Sequence, residues 1–172
     1  MNSIFTDQEL RTALHSIYLA QFQVIKQHPK VFDKNDATRM LTGLMGSRPW
    51  SWRVVGITPA ALEIFAQNGF VRVKGQVERG HLGERNKTAS HLYFERQAPM
   101  ELNEFYEYFL ERDRTVLMAK HENRARSSGP LPDYIPVPVE LELFPCGSLV
   151  GWKHRKLEME FLRSLHESRS VA

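Results

Sequence analysis

The chain has 172 residues and a mass of 20.0 kDa, the size of one ordinary domain, and 23 Lys and Arg against 20 Asp and Glu leave a net charge of +3. This balance excludes a polybasic tail and an acidic solvating protein, and 42% hydrophobic residues suffice for a buried core. The single cysteine, Cys146, cannot form an internal disulfide, and no run reaches the ~18 apolar residues of a membrane span, so we expect a cytoplasmic protein with no membrane partner.

Two helices are predicted at the N-terminus. Apolar residues recur at helical intervals over about 7–27 and again over about 35–45. Pro29 ends the first helix, because the residue before a proline is pushed out of the α region, and Gly46 ends the second. Together the two helices predict an α-hairpin over residues 1–46.

The rest of the chain mixes strands with helices. Its most distinct boundaries belong to a helix that Thr58 caps, that Pro59 begins and that ends at Gly69 in a left-handed conformation. Alternation of apolar and polar residues then predicts a half-buried strand over 70–78. The later predicted elements are a strand at 91–95 that pairs back on 70–78, a helix at 99–113, a buried strand at 115–119, a mostly loop segment at 120–138, an edge strand at 139–144 and a helix at 152–166.

This order of elements predicts a single α+β domain over residues 1–172. The N-terminal helical hairpin packs with a core, residues 47–172, that consists of a small antiparallel sheet and a C-terminal helix. Loops at strand ends are where a rigid scaffold presents reactive side chains, so those loops are the first place to look for a site.

One such loop carries an unusual set of side chains. The sequence ERGHLGER, residues 78–85, supplies an imidazole, two guanidiniums and carboxylates, and its two glycines allow the backbone to turn. One interpretation is a reactive site. The other is a charged hairpin loop in which Gly80 and Gly83 only supply turn conformations.

The tetrapeptide ERGH, residues 78–81, is similar to the Asp-Arg-Gly-His motif of the ββα-metal, or His-Me finger, nucleases. The resemblance covers about residues 70–124. Glu78 stands where that family usually has Asp, and the chain has no CxxC zinc knuckle. The resemblance implies that His81 ends the first strand and acts as general base on a water, while the following helix contributes a ligand to one divalent ion.

Two candidates follow for that ligand. Asn103 suits the position by its order along the chain, whereas Asn123 lies beyond an intervening strand. Glu122 offers a neighbouring carboxylate, and the hard ion Mg²⁺ suits such oxygen ligands. The competing interpretation of residues 120–124 is a solvated loop after a core strand.

Phosphodiester hydrolysis also needs positive charge against the developing phosphorane, in addition to a base near the attacking water. Arg79 or Arg85 supplies this charge as a phosphate clamp, and His81 is the predicted base.

A non-catalytic interpretation takes residues 58–96 as the last helix and wing of a winged helix. A basic wing would contact phosphates, and the helix would enter the major groove. Because Glu63 is the only charge on that helix, the alternative interpretation is that the helix packs in the core. Trp50 and Trp52, flanked by arginines, offer a platform for stacking unpaired bases, unless one ring lies in the core. The predicted nucleic-acid contacts are Arg72, Lys74, Lys87 and, at the basic start of the last helix, Lys153.

The sequence therefore favours a nucleic-acid-directed protein. The first hypothesis is a Mg²⁺-dependent phosphodiester hydrolase with His81 as general base. The alternatives are a DNA-binding or accessory module based on residues 58–96, and a protein-interaction component in which residues 1–46 form a homodimer or partner surface.

Overall fold

The computed structural model describes residues 4–48, 51–125, 131–147 and 151–170. Helices and strands follow one another in a mixed order, and the predicted α+β class is confirmed. The elements are α1 (Gln8–Gln27), α2 (Lys34–Met45), β1 (Arg53–Ile57), α3 (Pro59–Gln67), β2 (Val77–His81), α4 (Arg85–Ser90), a π-helical turn (His91–Glu95), α5 (Leu102–Arg112), β3 (Arg114–Ala119), α6 (Lys120–Ala125), β4 (Ile135–Pro136), a 3₁₀ turn (Val139–Leu141) and α7 (Lys156–Ser170).

The N-terminal hairpin forms as predicted. Asp7 caps α1, since its carboxylate accepts a hydrogen bond from the backbone N–H of Leu10 at 2.9 Å. Asp33 and Asp36 form a capping box at the start of α2, in which each side chain accepts from the other residue's backbone N–H. Both helices pack with α5 and the π-helical turn around one apolar cluster, which includes Tyr18.

The sheet is mixed, so the prediction of a wholly antiparallel sheet is wrong. Its strand order is β2-β3-β1-β4, with β1 parallel to β3 and the two outer pairs antiparallel. The chain leaves β1 and returns in β3 only after α3, β2, α4 and α5, and so long a crossover allows the two strands to run in the same direction. A second apolar cluster lies between this sheet, α3 and α7.

Two predicted strands are wrong, and with them the two-stranded ribbon of the winged-helix interpretation. Strand β2 covers only 77–81, because Phe70 (φ 63°) and Gly75 (φ 79°) take left-handed conformations that interrupt the extended backbone before it. Residues 91–95 continue α4 as a π-helical turn. The adjacent residues Leu92 and Tyr93 are both fully buried, whereas a half-buried strand would expose one of them.

The other predictions hold in part. Thr58 caps α3 through a hydrogen bond from Ala61 N to its hydroxyl, as predicted, and α5 and β3 lie within two or three residues of their expected bounds. The segment predicted as loop from residue 120 begins with α6, and the edge strand is Ile135–Pro136 rather than 139–144, which contains a 3₁₀ turn. Helix α7 is shifted toward the C-terminus.

Within the described parts of the chain, none of the helices combines the length and the apolar character that crossing a bilayer would require.

Candidate functional site

A cleft of about 310 Å³ opens where β2 ends and α4 begins. It brings together three side chains that the sequence predicts as catalytic, His81, Arg79 and Arg85, with one predicted metal ligand, Asn123. Trp52, Gly80, Gly83 and Glu84 complete its lining.

His81 is the last residue of β2, as the motif implies, and it pairs with Thr115 of β3. The next element along the chain is α4, so the strand that should follow the histidine in a ββα arrangement is replaced by a helix. The imidazole packs edge-on against the Trp52 indole, with ring centroids 5.1 Å apart and planes at 78°. The ring orientation at the cleft therefore depends on Trp52.

Trp52 is held in a left-handed conformation, with φ 53°. Its N–H donates to the Asp113 carboxylate, and its carbonyl accepts from Arg79 at 3.2 Å and from the Thr115 hydroxyl at 3.0 Å. Gly46 lies so close to the indole that a Cβ there would be 2.6 Å from Trp52 Cη2. A bulky residue keeps such a backbone only when its surroundings over-determine it, and strain of this kind is concentrated at functional sites.

Arg79 has its guanidinium committed to the protein. Its Nη1 donates to the carbonyl of Trp52 at 3.2 Å and to Cys146 Sγ at 3.5 Å, and its Nη2 donates to the carbonyl of Gly151 at 2.8 Å. The residue is only 9% exposed. Arg79 therefore supplies positive charge to the cleft and holds its neighbours in place, but its N–H donors are already engaged by the protein.

Arg85 is better placed as a clamp. Its guanidinium carbon lies 4.6 Å from the centre of the Trp52 ring, and Nη1 donates one hydrogen bond to the Thr42 hydroxyl at 3.4 Å. Burial lowers the pKa of Arg85, and repulsion from Arg79 lowers it further while Asp113 opposes the change. A guanidinium stays protonated in proteins, so the two arginines form an electropositive wall that an anion would relieve.

A buried acid that the sequence reasoning missed lies behind the cleft. Asp113 also accepts from the Ser51 hydroxyl at 3.2 Å, and burial raises the pKa of Asp113 well above its usual range despite these hydrogen bonds and the nearby Arg79 and Arg53. It lines an inner recess of about 10 Å³, room for roughly one water, which shares Trp52, His81 and Arg85 with the cleft.

The three predicted metal ligands do not form a set. Asn103 lies in the first turn of α5, about 14 Å along the helix axis from Arg112, which borders the inner recess. Glu122 accepts from the Thr58 hydroxyl at 2.6 Å and from Ala119 N at 2.8 Å, so it holds α6 against the sheet. Among the residues that the structure describes, no three His, Cys, Asp or Glu side chains are grouped to hold an ion.

Asn123 does reach the cleft. Its amide donates to Glu78 Oε2 at 2.9 Å, which ties α6 to β2. Asn123, which the sequence predicts as a metal ligand, therefore makes a positioning contact in the structure.

The predicted nucleic-acid contacts are dispersed. Arg72 stacks on Trp152 at 3.8 Å and donates to its carbonyl at 2.8 Å, and Lys87 pairs with Glu84 at 2.7 Å while its side chain stays 77% exposed. Lys74 and Lys153 are exposed outside the cleft lining.

Two further sequence expectations can be located. Trp52 is 2% exposed, so its ring lies in the interior rather than on an open base-stacking platform, and Trp50 lies outside the described residues. The Cys146 thiol donates to the Ser51 carbonyl at 2.7 Å, and burial raises the pKa of this thiol, so the structure gives it no nucleophilic character.

Comparison of the chain with protein-family models, with curated proteins and with solved structures finds no match. The likeness of residues 78–81 to the His-Me finger motif accordingly remains a prediction.

Proposed function

We propose that the cleft binds a phosphate group of a nucleic acid and that His81 acts as general base in hydrolysis of the phosphodiester. The observation that carries this proposal is the convergence of His81, Arg79 and Arg85 around one cleft of about 310 Å³. Separate elements supply these groups, since Arg79 and His81 belong to β2 and Arg85 begins α4.

Electrostatics supports an anionic ligand. Arg79 lowers the pKa of Arg85 and also that of Arg72, in each case after the larger effect of burial, so these cations repel one another across the cleft and its surroundings. A phosphate placed between them gains attraction to each and removes part of that repulsion. Guanidinium forks match phosphate oxygens in geometry, which favours phosphate over a smaller anion.

The chemistry assigns one role to each group. His81 takes a proton from a water as its oxygen forms a bond to phosphorus, the ester P–O bond on the opposite side breaks, and the leaving oxygen takes a proton from solvent. Arg85 neutralises charge that develops on the phosphorane oxygens. Trp52 contacts both the imidazole and Arg85, and Arg79 holds Trp52 in place through its carbonyl and its ring.

Magnesium dependence remains a prediction. Asn103 lies toward the far end of α5 and Glu122 is engaged with Thr58 and Ala119, so the predicted ligand set does not fit an ion. The assay therefore includes Mg²⁺ in one arm and EDTA in another.

The test uses end-labelled single- and double-stranded DNA and RNA with the full chain. His81→Phe keeps a ring against Trp52 and removes both nitrogens, so it should abolish cleavage while binding changes by less than about threefold. Arg85→Gln should weaken binding about 10- to 100-fold, since one charge-assisted contact is lost. Arg39→Gln is the matched control, because it makes the same substitution on α2 at a side chain that is 81% exposed and outside the cleft lining, and it should leave binding and cleavage near wild type.

Each outcome decides between the hypotheses. Undiminished cleavage by His81→Phe would exclude His81 as the base. Salt-dependent binding that Arg85→Gln weakens, with no cleavage under any condition, would support the non-catalytic alternative at the same cleft. Equal affinity of wild type, Arg85→Gln and Arg39→Gln would refute the cleft as the phosphate site.

A further inference from the structure

Helix α1 presents an outward face without charge. Nine of its residues between 12 and 27 are exposed, and none is charged, although a quarter of the chain is charged. Five of the nine are apolar: Ala13, Ile17, Leu19, Ala20 and Val24. Four of these, all but Leu19, recur at spacings of three and four along one side of α1, and an apolar stripe rimmed by polar residues is typical of an interaction site.

The charged residues of this part of α1 are turned toward the body of the protein. Arg11 places its guanidinium 4.4 Å from the centre of the Tyr106 ring, and Lys26 donates to the carbonyl of Phe94 at 3.1 Å. Because Arg11 and Lys26 turn toward the core side of the helix, neither of them places a charge on the outward face.

The apolar residues follow a seven-residue repeat. Ile17 and Val24 are seven apart, as are Ala13 and Ala20, which is the a and d pattern of a helix-pairing seam, and the half-buried Leu10 begins the same repeat against the helical core. Ile17 is 46% exposed and Val24 is 42% exposed. The alanines allow a second helix to approach closely, toward the short end of the 8–10 Å range of interaxial distances.

We infer that this face pairs with the same face of a second copy of the chain, antiparallel, around a two-fold axis between Ile17 and Ala20. In that arrangement residue numbers opposite each other add up to 37, as 17 and 20 do. Glu9 then lies opposite His28, and the acidic start of α1 at Asp7 and Glu9 lies beside the turn after Gln27 that carries Lys30.

Charge complementarity selects this occupant. The acidic residues Asp7 and Glu9 lie at the start of α1, and the basic Lys30 lies just beyond its end. A parallel pair would bring like charges together at both ends, whereas the antiparallel pair joins opposite charges twice by symmetry. The face is thus complementary to itself, both in its uncharged centre and at its charged ends.

The first test measures mass by sedimentation velocity between about 1 and 100 μM. We expect a dimer of the 20.0 kDa chain. Ile17→Asp buries charge at the seam and should weaken the dimer about 100-fold or more. The matched control is Leu157→Asp on α7, where the leucine is equally exposed at 48%, and this variant should dimerise like wild type.

The second test reverses charge. Glu9→Lys or His28→Glu alone should weaken the dimer about tenfold, because each change brings like charges together at two symmetric ends, and the double variant, which places a lysine at position 9 opposite a glutamate at position 28, should restore it. A wild-type chain that is monomeric at 100 μM would overturn the inference, as would a dimer that Ile17→Asp leaves intact. A dimer that both single reversals leave unaffected would overturn the antiparallel register. None of these outcomes depends on the cleft binding phosphate.

Discussion

Asp113 is the residue whose removal should most directly disturb the cleft. The residue is 5% exposed, and its carboxylate accepts from two buried donors, Trp52 N and the Ser51 hydroxyl. In Asp113→Ala both donors lose their acceptor, at about 1–3 kcal/mol each, so we expect a loss of about 4 kcal/mol in the free energy of unfolding. That is a large share of the 5–15 kcal/mol typical of a domain.

Asp113→Asn should cost less. Burial raises the pKa of Asp113, which favours the protonated carboxyl, and asparagine resembles that form in size and keeps one oxygen as acceptor for Trp52 N. We expect a loss of about 1–2 kcal/mol.

Urea unfolding at pH 7, followed by far-UV circular dichroism and by tryptophan fluorescence, measures both variants. Asp133→Ala, on an exposed loop, is the control and should lie within about 0.5 kcal/mol of wild type. The reasoning fails if Asp113→Ala is as stable as this control, or if the asparagine variant loses as much as the alanine variant.

Further predictions concern other elements. Burial raises the pKa of the fully buried Glu158, but hydrogen bonds from the Arg155 side chain and from backbone N–H groups outweigh burial and leave this pKa lowered. The ionised Glu158 therefore stabilises the fold above about pH 4.5, and this stabilisation is lost as the pH falls. The stability difference between wild type and Glu158→Gln, from urea midpoints at pH 7 and 3.5, should therefore shrink on acidification, and a constant difference contradicts this. In thermal unfolding, Gly43→Ala should be more stable than wild type by about 0.5–1 kcal/mol, since the new Cβ in the middle of α2 meets no atom within 4 Å. Gly56→Ala should be less stable by about 1–3 kcal/mol, since its new Cβ overlaps the Tyr134 ring. A destabilised Gly43→Ala together with a stabilised Gly56→Ala would refute both predictions.

Local signals in the sequence predict elements whose limits are also local. Thr58 and Pro59 define the start of α3 because a cap needs only its own first turn. The alternation over 70–78 is a signal of the same kind, but a strand also needs a partner. Strand β3 pairs with β2 only from Val77, which faces Ala119, so the alternating residues before it have no ladder to join.

The same distinction applies to the candidate site. Arg79, His81 and Arg85 lie within seven residues, so the sequence could group them. Trp52 and Asp113 are 61 positions apart, and they meet because Arg53 pairs with Arg114 in the parallel register of β1 and β3. A single sequence without that register gives no reason to place a tryptophan and an aspartate, each preceding a different strand, in contact.

The cleft lies between the two apolar clusters, where the helical layer meets the sheet. Leu41 and Phe109 of the helical cluster border the inner recess, while Arg79 extends from the sheet that carries the second cluster. Trp52 belongs to neither cluster, and its carbonyl accepts hydrogen bonds from Arg79 of β2 and Thr115 of β3. An anion held by Arg85 beside Arg79 would therefore join the helical layer to the sheet. Ligand sites lie preferentially at such boundaries, because a small shift between two packed layers changes the width of the cleft without breaking either core.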